Sequence, residues 1–226
     1  MLSVGQRPSV EEQRSANRVF IVGAGGFGRE VYGWFGRSAL LARLVGFLSA
    51  DLGALDGLPM GHRVVGSPDD HDVRPGDAFV LAIGIPGVRR NVAEALQSRG
   101  ASFLTLIHHT AMVAESATIH QGAIICPYAV VSTHARVGAC VILNYHSSAA
   151  HDAVIGDYTV LSPYAAVGGN AVLEDDVFVG LHGTVGPGKR VGARSKVAAS
   201  SCALLNVPPD CLALGVPARI TPLLYR

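Results

Sequence analysis

From Val113 to Ala203 the chain repeats itself every six residues without losing phase. Sixteen hexads open at Val113, Ile119, Ile125 and so on to Ala203, and fourteen of the openers are Ile, Leu or Val. Ala149 and Ala203 are the other two. The fifth residue of each hexad is compact (Ala, Ser, Thr, Val or Gly), with Lys189 the one exception. Glycine often follows the opener, as at Gly138, Gly156, Gly168, Gly180, Gly186 and Gly192. A period of six fits neither the 3.6-residue turn of a helix nor the two-residue alternation of a long strand. It fits a parallel β-solenoid, in which short strands on flat faces alternate with tight corners. The opener points inward and stacks on its equivalents, and the compact residue sits where the chain turns close to the axis.

This hexad resembles the repeat of the bacterial hexapeptide acyltransferases. The resemblance implies an all-β left-handed parallel β-helix with three hexads to each triangular coil, against the usual right-handed crossover. Residues 18 apart then stack on adjacent coils, and the sixteen hexads make a little over five coils.

With 226 residues there is room for a second unit ahead of the solenoid. Arg18 to Val22 reads as a buried strand running into Gly23-Ala24-Gly25-Gly26-Phe27-Gly28, a G-x-G-x-x-G pattern. A helix follows, with Val31, Trp34 and Phe35 on one side. Leu44 to Leu48, Arg63 to Val65, Ala78 to Ile83 and Phe103 to Ile107 read as further strands. Pro86 to Arg99 reads as a helix with Val88, Val92 and Leu96 on its apolar side. This alternation predicts a small Rossmann-like parallel sheet, an α/β unit whose ligands bind at the strand carboxyl ends. The expected organisation is a mobile polar tail over 1–17, the α/β unit over 18–108, the solenoid over 111–208 and a C-terminal extension over 209–226.

A glycine loop between strand and helix lets a phosphate approach the backbone at a helix N-terminus. About 90 residues are too few for both halves of a dinucleotide fold, and no acidic residue sits cleanly at the second strand tip, though Asp51 is close. The loop therefore favours a nucleotide-linked substrate over a nicotinamide cofactor, and a glycine turn without a ligand stays open. A net charge of +1 gives no general attraction for nucleic acid or an anionic membrane. No apolar run approaches the ~18 residues of a bilayer span. Cys126, Cys140, Cys202 and Cys211 show no CxxC pairing, which suits a reducing cytoplasm.

Within the repeat, polar residues that stacking does not explain stand out. His151-Asp152 falls in a hexad opened by Ala149, where a thinner core residue leaves room for a ligand. Histidine titrates near neutrality, and a carboxylate beside it can fix its tautomer and raise its basicity. Adding 18 to 151 places Gly169 over the histidine, with an N–H that could stabilise an oxyanion. The same arithmetic stacks Asp152 between His134 and Asn170, and puts His146, Tyr164 and His182 in another column. A solvated corner histidine with no catalytic part is the plain alternative.

The glycine-rich α/β unit, Asn144 seven residues before His151-Asp152, and Ile155-Gly156-Asp157 together resemble the sugar O/N-acetyltransferases of the sialic-acid and bacillosamine type, from Arg18 to about Arg219. That resemblance implies His151 as general base, Asp152 as the acid supporting it, and Asn144 lining the acceptor pocket. It implies a nucleotide-linked sugar at Gly25, Gly26, Phe27, Ser49 to Asp51 and Gly84. Acetyl-CoA would lie between subunits of a homotrimer at Gly169, Leu181 and Ala199, its nucleotide end near Gly215-Val216-Pro217-Ala218-Arg219. A cytoplasmic enzyme of polysaccharide biosynthesis, with no metal, is the implied setting. Phe27 and Val160 stand where many relatives carry histidine, which alters the acceptor loop and the surroundings of the thioester.

Two other readings use the same residues. His146 and His151 resemble the H-x4-H of gamma-class carbonic anhydrases, whose zinc needs three protein ligands. The third position, two coils earlier, is Thr110. A non-catalytic, nucleotide-binding trimeric scaffold would need none of the His151 chemistry.

Overall fold

The computed structural model describes residues 17–35 and 41–223. The tail expected over 1–17 lies, but for its last residue, outside the described residues.

The hexads build a triangular prism whose three faces are parallel sheets. Face one stacks Leu106–Ile107, Ile124–Ile125, Ile142–Leu143, Val160–Leu161, Phe178–Val179 and Lys196–Val197, and a C-terminal hairpin of Cys211–Gly215 and Ala218–Pro222 extends it. Face two runs from Met112–Val113 to Cys202–Ala203, and face three from Thr118–Ile119 to Arg190–Val191. Register is set at 18 residues throughout: Val131 pairs with Ala149, Ala149 with Val167, and Val167 with Val185. The openers and the compact fifth residues form one continuous buried core, from Ala117 and Ile119 up to Val207 and Ala213. Non-polar burial of this kind contributes roughly 25 cal/mol per Å².

Most corners carry one non-glycine residue with φ between 53° and 61°, among them Tyr128, His134, His146, Asp152, Tyr164, Asn170 and His182, while Gly122 and Gly188 take that place at 75° and 67°. The glycines after the openers answer a different need. A Cβ on Gly168 would stand 2.6 Å from Pro187 N of the next coil, so close coil-to-coil approach excludes a side chain there.

The N-terminal unit is a five-stranded parallel sheet in the order β3-β2-β1-β4-β5, formed by Arg18–Val22 (β1), Leu44–Leu48 (β2), Val64–Gly66 (β3), Asp77–Leu81 (β4) and Ser102–Phe103 (β5). Helix Gly26–Phe35 (α1) follows β1, and Pro86–Gln97 (α2) links β4 to β5. The expected alternation is incomplete, because irregular chain joins β2 to β3 and β3 to β4. The strand expected over Phe103 to Ile107 divides: Phe103 pairs with β4, whereas Leu106–Ile107 pairs with Ile124–Ile125 and opens the solenoid. Ile107 is in phase with the repeat, one hexad before Val113.

The buried face of α2 keeps the expected Leu96 but differs from expectation at its start. Arg89, Ala93 and Leu96 point inward and Val88 is exposed. Arg89 is 0% exposed. Its Nε donates to Cys140 O at 2.5 Å, and its Nη1 donates to Leu81 O and, at 3.1 Å, to Ile83 O. Nη2 has no partner among the described residues. Burial pushes the Arg89 guanidinium down to about 10. Beside it, Arg90 grips Asp176 at 2.8 Å and Asp175 at 3.2 Å, and lies over the Tyr158 ring. A shared apolar cluster completes the seam, with Ala24, Val31 and Ala82 meeting Ile124, Cys126, Ile142 and Val160. The unit is thereby fixed across face one. No helix among the described residues is long and apolar enough to cross a membrane.

Candidate active site

Three edges separate the faces. The edge between faces one and two carries residues 144–147 and their equivalents, and the edge between faces two and three carries 150–153 and theirs. His151, Asp152, Gly169, Asn144, Leu181 and Ala199 each lie on one of these two.

His151 and Asp152 occupy the second of them. Asp152 adopts φ 58°, which turns its carboxylate back beside the preceding side chain. His151 Nδ1 stands 2.9 Å from Asp152 Oδ2. A carboxylate only accepts, so Nδ1 carries the hydrogen and Nε2 keeps its lone pair. The side chains are 59% and 47% exposed, so the ring is open to an incoming group.

Gly169 lies directly over that ring, as the 18-residue stack predicts. A Cβ there would meet His151 Nε2 at 2.4 Å and Cε1 at 2.5 Å, so only glycine lets the imidazole lie in this position. The next residue, Asn170, donates its N–H to His151 O at 3.0 Å and locks the two coils together. The Gly169 N–H enters no hydrogen bond among the described residues and so is left as a donor.

Asn144 is on the other edge. Its Oδ1 accepts the Tyr145 N–H at 2.8 Å, and Tyr145 packs edge-on to Trp34 of α1, 5.8 Å between ring centroids. Leu181 and Ala199 share this edge and are exposed. So does a stack that the sequence showed only in part: Tyr128, His146, Tyr164 and His182 lie ring on ring at 5.0, 4.9 and 4.7 Å. His146 is therefore sandwiched between tyrosines, on a different edge from His151. No group of three or more His, Cys, Asp or Glu side chains that could hold a metal occurs among the described residues.

The residues expected at the strand carboxyl ends do converge. β1 is central, and its glycine loop is flanked by the ends of β2 and β4. Gly23, at φ 107°, and Gly28 are required by packing, since a Cβ on either would strike the backbone of Ala82 or Gly23. Gly25, Gly26 and Gly84 face open space, with nothing within 4 Å of where a Cβ would stand. Ser49 Oγ accepts the Asp51 N–H at 3.2 Å, and Asp51 Oδ1 accepts the Gly53 N–H at 3.0 Å, so the second strand tip is a hydrogen-bonded turn. Phe27 packs against the same apolar cluster as Tyr145.

One chain thus assembles two partial sites. The glycine loop, Asn144, Leu181 and Ala199 belong to the side carrying the N-terminal unit and the first edge. His151, Asp152 and Gly169 stand on the edge opposite face one. Val160 is 3% exposed within the seam under the N-terminal unit, so in a single chain it does not border His151. Arg89 was invisible to the sequence reading. Its only signal is three-residue spacing from buried Pro86 and four-residue spacing from Ala93.

No family model matches the chain. A curated GDP-perosamine N-acetyltransferase of Escherichia coli O157:H7 is 30% identical over 146 residues, 62% of this chain and 66% of that protein. The chain therefore spans just under two thirds of that relative's length. The acetyltransferase domain of PglB from Neisseria gonorrhoeae FA1090, solved alone and with acetyl coenzyme A, has a TM-score of 0.83 at 24% identity, covering 91% of this chain and 100% of that one. PerB from Caulobacter crescentus, solved with CoA and GDP-perosamine, has a TM-score of 0.79 at 25% identity, covering 90% and 97%. These proteins are acetyltransferases, those of GDP-perosamine acting on a nucleotide-linked amino sugar, and they are the kind of protein the sequence resembles.

Proposed function

We propose that this chain, a relative of the sugar acetyltransferases, transfers the acetyl group of acetyl-CoA to an amine, or a hydroxyl, of a nucleotide-linked sugar. The observation that carries the reading is the His151–Asp152 pair at 2.9 Å, lying under a glycine that no other residue could replace without moving the ring. His151 Nε2 takes the proton of the acceptor as its nitrogen or oxygen attacks the thioester carbonyl. The Gly169 N–H donates to the oxyanion of the tetrahedral intermediate. Collapse expels the CoA thiolate, which recovers the proton from the imidazolium. Asp152 holds the tautomer and supports the imidazolium charge. No covalent enzyme intermediate is needed once both substrates are positioned.

In this reading the N-terminal unit, residues 18–108, is a Rossmann-like holder for the nucleotide-linked sugar, with Gly25, Gly26 and Gly84 beside the phosphates and Ser49 to Asp51 at the second strand tip. Residues 111–208 are the left-handed acyltransferase solenoid. The two partial sites call for a second copy, whose acceptor side would close on His151, and a homotrimer with three interfacial sites meets that need. Four cysteines without a disulfide accord with a reducing cytoplasm.

Acetyl-CoA supplied with nucleotide-linked amino sugars, GDP-perosamine first, should release free thiol only when an acceptor is present. Light scattering under the same conditions should give a trimer. Wild-type protein that releases no acceptor-dependent thiol across a panel of such sugars would overturn the proposal, and a fully active monomer would overturn the shared site.

A further inference from the structure

We propose that Lys189 binds the diphosphate of acetyl-CoA and so holds the nucleotide end of the donor above His151. The inference rests on the acetyl-CoA reading of the previous subsection and adds a residue to it.

Lys189 fills the fifth position of its hexad, which is compact in the other fifteen. Its equivalents on the coils below, Ala135, Ala153 and Ala171, are wholly buried, and so is Val207 above. A methyl group is enough to pack this corner. A long cationic side chain here costs rotamer freedom and must thread its charge out to water. It does emerge: Lys189 is partly exposed, and its Cγ runs 3.5 Å from where a Cβ of Gly186 would stand. That is ordinary van der Waals contact, so the stem runs alongside Gly186.

This corner belongs to the edge that carries His151. Between the histidine and Lys189 the edge carries only short side chains, with Gly168, Gly169, Asn170, Gly186, Pro187 and Gly188, and Leu204 and Leu205 stand exposed on the coil beyond. Its acidic side chains, Glu115 and Asp152, lie below or level with the histidine, where a diphosphate would be repelled. Glu174, just past the adjoining strand Val172–Leu173, is engaged by Arg190 and by the Ala193 N–H. Among the described residues Lys189 itself enters no ion pair.

The dimensions agree. Lys189 follows His151 by 38 residues, just over two coils, which is about 10 Å along the axis at a strand spacing of ~4.8 Å. An extended lysine side chain adds roughly 5 Å at ordinary bond lengths. The extended pantetheine arm, with its two amides, separates sulfur from diphosphate by about 15 Å on the same dimensions. A thioester at His151 Nε2 with its arm running up this edge brings the diphosphate to the ammonium.

Steady-state kinetics on the full chain tests this with three donors: acetyl-CoA, acetyl-dephospho-CoA and acetyl-pantetheine. One charge-assisted contact at a partly exposed site predicts that Lys189→Met raises KM about ten-fold for both donors that carry the diphosphate. Lys189→Arg should recover most of that loss, and added salt should shrink the difference. The variant's KM for acetyl-pantetheine should match that of wild type. Equal effects on all three donors, or none on acetyl-CoA, would overturn the assignment. An effect confined to acetyl-CoA would move the contact to the 3′-phosphate and overturn it as well. Wild type that uses none of the donors would overturn the enzymatic reading instead. Calorimetric titration of CoA into wild type and Lys189→Gln would then judge Lys189 alone, with unchanged affinity the result that refutes it.

Discussion

Replacing Gly169 by alanine separates the position of the His151 ring from the stability of the solenoid. Gly169 is not among the residues of positive φ, so the backbone accepts alanine without strain. The added methyl would lie 2.4 Å from His151 Nε2, whereas ordinary contact begins near 3.4 Å. The ring must therefore retreat by about 1 Å, a displacement that away from the chemistry itself can cost ~10²-fold in rate. It can retreat cheaply, because the His151 side chain is more than half exposed and is tied only through Nδ1 to Asp152. Any gain from stiffening the unfolded chain is of the order of 0.4–1 kcal/mol, so net stability should change by less than about 1 kcal/mol. The Gly169 N–H remains in place, which keeps the oxyanion donor out of the comparison. Thiol release at saturating acetyl-CoA and acceptor should fall by about two orders of magnitude, while the melting temperature barely moves. In the double variant with His151→Ala, Gly169→Ala should add nothing further, since it acts through the ring it displaces. Wild-type kcat in Gly169→Ala would refute the reasoning, as would a full additional loss in the double variant.

Three further outcomes follow from other parts of the structure. His151→Ala should lower kcat by ~10²–10⁴-fold with little change in either KM, and Asp152→Asn should lower it less, because the imidazole stays while its carboxylate support is lost; near-wild-type kcat in His151→Ala at saturation would assign the base elsewhere. Gly25→Val places a side chain in open space above the glycine loop, so the fold should survive while the acceptor KM rises; a loss of acetyl-CoA affinity with the acceptor KM unchanged would contradict the assignment of the loop. Asp77, almost wholly buried, takes the guanidinium of Arg18 at 2.7 and 2.8 Å. Burial pushes its carboxyl up, but the Arg18 and Arg74 hydrogen bonds and the Arg18 charge outweigh that and hold it below the usual range. A depressed folded-state value means stability that is fully present above the ordinary carboxylate range, about 4, and is lost as pH falls through the lowered value. Asp77→Asn should therefore cost roughly 1.5–3 kcal/mol at pH 7, and urea titrations should show the gap to wild type closing below pH ~4. An equal gap at pH 3 and pH 7 would show that the charge is not the source.

Repetition made much of this molecule legible, because a fixed period converts sequence distance into spatial contact. The placement of Gly169 on His151 needed only the number 18, and so did the ring column through His146, Tyr164 and His182. Where no period operates, the same residues carry no such information. Val88, Val92 and Leu96 suggested the inner face of α2 by hydropathy, yet Val88 is exposed and Arg89 is buried beside Ala93 and Leu96. Three carbonyls from the β4 tip and the Cys140 corner accept its donors, and partners gathered from separate segments leave no local pattern. Phe103 to Ile107 failed for a related reason. A continuous apolar run reports burial, but not that its two ends pair with different sheets.

The division of the site between two edges was in the numbers and could have been drawn from them. His151 and Gly169 differ by 18 and fall in one column; Leu181 and Ala199 also differ by 18 and fall in another. From Gly169 to Leu181 is 12 residues, two hexads, so the second column is two faces further round the prism. Asn144 precedes His151 by 7, one face back, which is the same edge as Leu181 reached from the other direction. Residues on different edges of a packed triangular core are held apart by that core, and no side-chain rearrangement brings them together. If Asn144, Leu181 and Ala199 serve the reaction that His151 serves, they must do so from another copy of the chain. On that condition the requirement for assembly comes from the period of the repeat and the place of each residue within it, with no appeal to the size of any exposed surface.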